Sequence, residues 1–232
     1  MRSGAIELAR RLMTATLLSA LVAGCAGGGD KRRPSRIAKS APKAKPRPVM
    51  PNDAAFRQCA AGLNAAAVRF TPLPNESRGA GCTLYGTVKL LDYGTPTTNL
   101  GPITCPVAAR FTAWVRYGVL PAARLLLKSE VVKVETFGTY ACRNIVGNPS
   151  MAGKRSEHAH ANAIDISAFI LADGRRITVE KDWAAGSPGA EFLRRVHQSA
   201  CKRFDTVLGP NYNAAHYNHF HFDMGGRAGT CR

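Results

Sequence analysis

Residues 219–223 read His-Phe-His-Phe-Asp. Alternation of this kind reads as a β-strand, because successive strand side chains point to opposite faces. It constrains the fold to a sheet with two unlike sides. Phe220 and Phe222 pack on a core, while His219 and His221 look into a cleft. The chain has six histidines, and three of them, His216, His219 and His221, fall within residues 214–223. Two more, His158 and His160, lie in SEHAHANAID, residues 156–165, and only His197 stands apart. The AIDISAFILADG segment that follows alternates as well. Ala163, Asp165 and Ser167 face one way, and Ile164, Ile166 and Ala168 the other. A carboxylate in such a place is costly unless a cation or hydrogen bonds compensate it. His158, seven residues upstream, can fold back toward Asp165.

The beginning of the chain is of another kind. Arg10 and Arg11 precede the apolar run LMTATLLSALVAG, which ends at Cys25. A positive start, a short apolar centre and small residues at the end read as an export signal, too short for a comfortable membrane-spanning helix. Leu21-Val22-Ala23-Gly24-Cys25 resembles the bacterial lipobox. That resemblance implies cleavage before Cys25 and lipidation of its thiol, and Ala26 in place of Asp implies the outer membrane. A plain signal peptide cleaved near Ala23 is the alternative. The net charge is +17, of which residues 1–50 carry +9. KRRPSRIAKSAPKAKPRPVM cannot bury enough surface to fold and reads as an extended, self-repelling tether. The expected organisation is a signal peptide over 1–24, a basic Pro-rich tether over 25–52 and one domain over 53–232. The basic charge suits acidic envelope polymers or lipid headgroups. Nucleic acid, the usual partner of a basic tail, is discounted behind an export signal.

Export also bears on the remaining cysteines, Cys59, Cys82, Cys105, Cys142, Cys201 and Cys231. Six in an oxidising compartment can form three disulfides, in any of fifteen pairings; free buried thiols are the alternative. No CxxC spacing suggests a cysteine-based zinc knuckle.

DAAFRQCAAGLNAAAVRF reads as a helix capped by Asn52 or Asp53, and CPVAARFTAWVRYG as a second with Pro106 in its first turn. PAARLLLKS reads as a short third helix, VKLLDYG as a strand or edge segment, and EVVKVETFG as a strand. RRITVEKDW fits a strand returning after the Asp173-Gly174 turn, and GAEFLRRVHQSACKRF a helix. The expected class is α+β, a small antiparallel sheet with helices packed on one side.

Two histidines and an aspartate with an open fourth position suit a catalytic zinc site, which activates water and polarises a carbonyl. Each cluster alone has a plainer reading: a histidine pair on a strand is often polar surface, and an aspartate near a histidine is often an ion pair.

Ser156, His158, Ala161, Ala163 and Asp165 resemble the SxHxxGxAxD motif of zinc D-Ala-D-Ala carboxypeptidases and related peptidoglycan peptidases, with Ala161 where that motif usually has Gly. His216-x-x-His219-x-His221 is similar to the HxxHxH arrangement of one branch of that group. The resemblance implies a zinc D-Ala-D-Ala carboxypeptidase-like fold and Zn2+ held by His158, Asp165 and His221. It implies that His219 and His216 act on the water and the oxyanion, and gives no role to His160. A closer resemblance, from about Asp53 to Cys231, is to the bacterial extensin-like protein C-terminal family. It rests on GTYACR, SEHAHANAIDI, the Ala200-Cys201-x-x-Phe204 segment and VLGPNYNAAHYNHFHFD. Arg143 stands near where the peptidases carry a substrate-gripping Arg; otherwise it is a surface Arg beside a disulfide. Ser156 either bonds substrate or caps its loop. The implied function is a periplasmic, lipid-anchored zinc peptidase cutting amide bonds in peptidoglycan stem peptides or cross-links. The alternatives are a non-catalytic peptidoglycan-binding lipoprotein with a peptidase-like fold and a purely structural envelope protein. Which bond is cut stays open at this level.

Overall fold

The computed structural model describes residues 50–226 and 229–232. The expected signal peptide, Cys25 and the tether up to residue 49 lie outside the described residues. Helix α1 (Ala54–Ala65) starts where Asp53 accepts a hydrogen bond from the Phe56 N–H at 2.8 Å, and it buries Phe56 and Leu63. Five short strands follow: β1 (Arg69–Pro72), β2 (Glu76–Ser77), β3 (Thr83–Leu84), β4 (Thr87–Asp92) and β5 (Ile103–Thr104). They form a three-stranded antiparallel sheet, β1-β4-β5, and a two-stranded one, β2-β3.

Helix α2 (Cys105–Trp114) does not end near residue 118. It runs on through a π-helical turn (Val115–Val119), α3 (Leu120–Ala122) and a second π turn (Ala123–Leu127), closing at Lys128 in the left-handed conformation. The two segments read separately from sequence are thus one rod. Pro121 lacks an N–H and crowds the preceding turn; widened turns on either side accommodate it without breaking the helix.

The remaining elements are β6 (Val131–Gly138), β7 (Ala163–Leu171), β8 (Arg176–Thr178), α4 (Val179–Asp182), α5 (Pro188–Ala200), β9 (Thr206–Leu208), β10 (Phe220–Asp223) and β11 (Thr230–Cys231). The strand expected over RRITVEKDW stops at Thr178. Its hydroxyl accepts from the Lys181 N–H at 3.1 Å, and Asp182 accepts from the Thr178 N–H at 2.7 Å, so a reciprocal cap starts a helical turn there. Helix α5 is capped by Ser187.

The main sheet has the order β11-β9-β10-β7-β6, with β8 also paired to β7. All its pairs are antiparallel except β11 on β9. The expectation of a single antiparallel sheet is corrected: the fold is α+β with antiparallel and mixed sheets. The parallel edge arises because the last residues run alongside β9 and are tied by Cys231 to Cys201, just past α5.

Register sets the two faces. Phe220, His221 and Phe222 of β10 lie opposite Ile166, Asp165 and Ile164 of β7. The aromatic face packs under α2 and α5: the Trp114 ring lies 5.1 Å from Phe222 and 6.1 Å from Phe169, and Phe169 lies 5.1 Å from Phe192. The Trp114 N–H donates to the Val196 carbonyl at 2.9 Å, so even this indole leaves no buried donor unpaired. Each fully buried phenylalanine here contributes roughly 2–3 kcal/mol. The alternation read along β7 holds only to Ile166. Ser167 has no register partner on β6, because Glu135 pairs Ala168 and Thr136 pairs Ile166, and its hydroxyl donates instead to the Glu135 carbonyl at 3.1 Å. This shift brings Phe169 into the same aromatic cluster.

All six domain cysteines pair, as Cys59–Cys105, Cys82–Cys142 and Cys201–Cys231, with separations of 46, 60 and 30 residues. In the chain-entropy picture each is worth about 4 kcal/mol.

Candidate metal centre

The β10–β7 register places His221 beside Asp165, with Nδ1 3.0 Å from Oδ1. His158 arrives from a 3-10 turn, Glu157–His160. Ser156 caps that turn, its hydroxyl accepting from the His158 N–H at 3.3 Å. The turn ends at buried Ala161, whose φ of 52° is left-handed, and the chain reverses there into β7. His158 Nε2 then lies 3.1 Å from Asp165 Oδ1 and 3.1 Å from His221 Nδ1.

Three donor atoms therefore form a triangle with sides of 3.0–3.1 Å, all from buried residues. A tetrahedral zinc with bonds of about 2.0–2.1 Å separates its donors by roughly 3.3 Å, so the set fits after shifts of a few tenths of an ångström. The far nitrogens are anchored too. His158 Nδ1 is 3.2 Å from the Thr139 carbonyl, which makes it the N–H and leaves Nε2 as a donor pair. His221 Nε2 is 2.9 Å from Asp223 Oδ2, which likewise frees Nδ1. Outer carboxylate and carbonyl partners of this kind orient metal-ligating histidines.

Burial alone would favour the neutral acid at Asp165, but the His158 and His221 imidazoles against it outweigh that and hold the carboxyl well below the usual range. Burial opposes charge on His221 as well; its bonds to Asp165 and Asp223 prevail and push it up to about 9. Without a metal, the cluster is thus an imidazolium between two carboxylates. The pocket favours a positive charge, which a divalent ion bound there would supply in place of a proton.

His219 and His216 border the triangle. His219 Nε2 is 3.7 Å from Asp165 Oδ1, and its Nδ1 is 2.8 Å from Asn218 Oδ1. His216 sits on the 3-10 turn Ala214–His216, its ring 5.2 Å from His219 and 5.9 Å from His221. Asn213 fixes its tautomer. The amide of Asn213 donates to the Gly147 carbonyl at 3.0 Å and its Oδ1 accepts from the Ala215 N–H at 3.0 Å. That Oδ1, 2.7 Å from His216 Nδ1, must accept there, so His216 Nε2 is bare. Burial, helped by the nearby His221 and His219, lowers His216 to about 4. Burial also lowers His219, against the pull of Asp165. Both are neutral bases at neutral pH.

A cavity of about 240 Å³ opens beside His216 and His221, and Arg143, Ser156, Tyr212 and Asp223 line it. Arg143 is exposed, makes no ion pair among the described residues, and has one side-chain hydrogen bond, 3.3 Å to the Asn144 carbonyl. Ser156 is the cap of the His158 turn as well as part of the wall. His160 lies apart, paired with the Thr83 hydroxyl at 2.9 Å.

Asp223, Asn213, Asn218 and the Thr139 carbonyl were not singled out from sequence. Asp223 could have been, since it is two residues beyond His221 on the same strand face. A second trio, His197, Cys201 and Cys231, is close enough to share an ion, but its sulfurs are joined as a disulfide.

No curated protein and no solved structure matches the chain. The model of one family, described as the extensin-like protein C-terminus, matches residues 57–232. That span takes in the whole histidine–carboxylate cluster and all three disulfides, and the chain belongs to the extensin-like protein C-terminus family.

Proposed function

We propose that the domain is a zinc-dependent peptidase hydrolysing amide bonds in peptidoglycan stem peptides or cross-links, lipid-anchored through Cys25 in the periplasm, at the outer membrane. The observation that carries this reading is the buried triangle of His158 Nε2, Asp165 Oδ1 and His221 Nδ1, each imidazole anchored at its other nitrogen. Zinc held there supplies a Lewis acid and lowers the pKa of water.

The rest falls to the chain. His219, neutral and fixed by Asn218, takes the proton released as water adds to the scissile carbonyl and returns it to the leaving amine. His216 presents a bare Nε2, an acceptor that orients the water or a substrate N–H. Arg143, with no carboxylate partner among the described residues, offers a guanidinium to a substrate carboxylate or to charge building on the carbonyl oxygen. The basic tether suits an anionic wall polymer and a membrane-anchored domain.

The purified domain should hold about one zinc per chain and release new fragments from muropeptides, resolved by mass spectrometry. His221→Ala should lose both. Wild-type protein that stays metal-free after zinc reconstitution overturns the reading. Retention on sacculi with no new products replaces it with a wall-binding module.

A further inference from the structure

The two histidines beside the triangle lie in a row of rings: Tyr212 to His216 at 5.4 Å, His216 to His219 at 5.2 Å, and His219 to Phe137 at 5.7 Å. Tyr212 and His216 line the cavity; Phe137, at the other end, does not. Single exposed apolar side chains are ordinary, but the placement of Phe137 is built. Thr136 pairs Ile166 and Gly138 pairs Asp165, so Phe137 is the residue left over in a bulge of β6. Gly138 closes that bulge with φ at 120°, a conformation that favours glycine. Bulges re-aim side chains beside sites. This one leaves Phe137 58% exposed, with its ring and the imidazole proposed to move the proton meeting edge to face.

We propose that Phe137 is a substrate-binding residue. Its exposed ring receives the aliphatic side chain of the amino acid next to the scissile amide, on the side away from the cavity. The assignment rests on the peptidase reading above. An extended peptide advances ~3.5 Å per residue, so a ring 5.7 Å from His219 is within reach of the first or second residue from the bond being cut. The opposite direction leads past His216 into the cavity, where Arg143 waits. The substrate thus lies across the row, one end enclosed and the other against a bare hydrocarbon face.

The test uses zinc-loaded protein and two sets of synthetic stem peptides, with either alanine or a long-alkyl residue at that position. Wild type should prefer the long-alkyl set. Phe137→Ala should erase the preference and lower kcat/KM for that set about tenfold, through KM. Phe137→Trp should keep the preference. Zinc content and thermal midpoint should not move in either variant. Undiminished discrimination by Phe137→Ala, or a fall in kcat with KM unchanged, as for a mere prop of His219, overturns the assignment alone. Wild type that cuts neither set overturns the peptidase reading and the assignment with it.

Discussion

Strands β7 and β10 bury both of their faces, and the two faces obey opposite rules. On one, Ile164, Ile166, Phe220 and Phe222 pack under α2 and α5, each fully buried. On the other, Asp165, His221 and Asp223 are buried almost as deeply, at 5–8% exposure. The first face is held by non-directional contact and gains from every methylene. The second loses solvation at each residue and recovers it only through a hydrogen-bond set with little slack. A protein that needed only stability would fill both faces alike. Function is therefore to be sought where burial is expensive.

The comparison breaks first if truncating the apolar face damages the metal centre more than the fold. Phe222→Ala should lower the free energy of unfolding by about 3–5 kcal/mol, read by denaturant titration of the metal-free domain. The protein that remains folded should still bind one zinc. On the polar face the conservative change Asp223→Asn should have the reverse profile. Only the outer partner of His221 Nε2 is altered, so zinc affinity should fall about 10–100-fold in a chelator competition, while the apolar core stays packed.

Acidity sharpens the contrast further, because only the polar face titrates. The pKa of His221 is raised in the metal-free protein to about 9. Its contribution to stability is full below the unfolded value of about 6.5 and is lost as pH climbs through about 9. Asp165 is lowered, so its contribution is present above the ordinary carboxylate range and is lost only well into acid. Zinc must displace the His221 proton, so its affinity should rise about tenfold per pH unit between about 6.5 and 9. The gap in melting temperature between zinc-loaded and metal-free protein should widen over that window. A gap independent of pH would mean that His221 is not protonated before the metal arrives.

These faces were legible in the sequence to different depths. Period two along HFHFD and AIDI placed the phenylalanines and isoleucines inward and turned Asp165 and His221 the other way, because that signal is local; that the two meet at one site was implied only by the family resemblance. The break after Ile166 was not legible, since Ser167 loses its place only through the register of β6, a non-local fact. The bulge at Phe137 was hidden for the same reason. Disulfide pairing is set by the fold rather than by spacing, and the Thr139 carbonyl is a backbone atom that no residue type announces. CPVAARFTAWVRYG and PAARLLLKS read as two helices because π turns are not written in composition. Asp223 was legible by the same alternation, two residues past His221 on the same strand face.

The smallest expected effect is the finest test of how rigid the polar face is. Ala161 ends the His158 turn at φ 52°, where the resembling peptidase motif has glycine. A left-handed alanine costs roughly 1–2 kcal/mol, and Ala161→Gly would relieve that. Against this stand about 0.5–1 kcal/mol of added backbone freedom in the unfolded chain and about 0.8 kcal/mol for one buried methyl lost from a fully buried site. The terms nearly cancel, so stability should move by less than about 1 kcal/mol. His158 is oriented by the Thr139 carbonyl and the Ser156 cap rather than by that methyl, so zinc affinity should change by no more than about threefold. A large loss of affinity with unchanged stability would place the rigidity of the centre in the turn itself, and would make the alanine a part of how His158 is aimed.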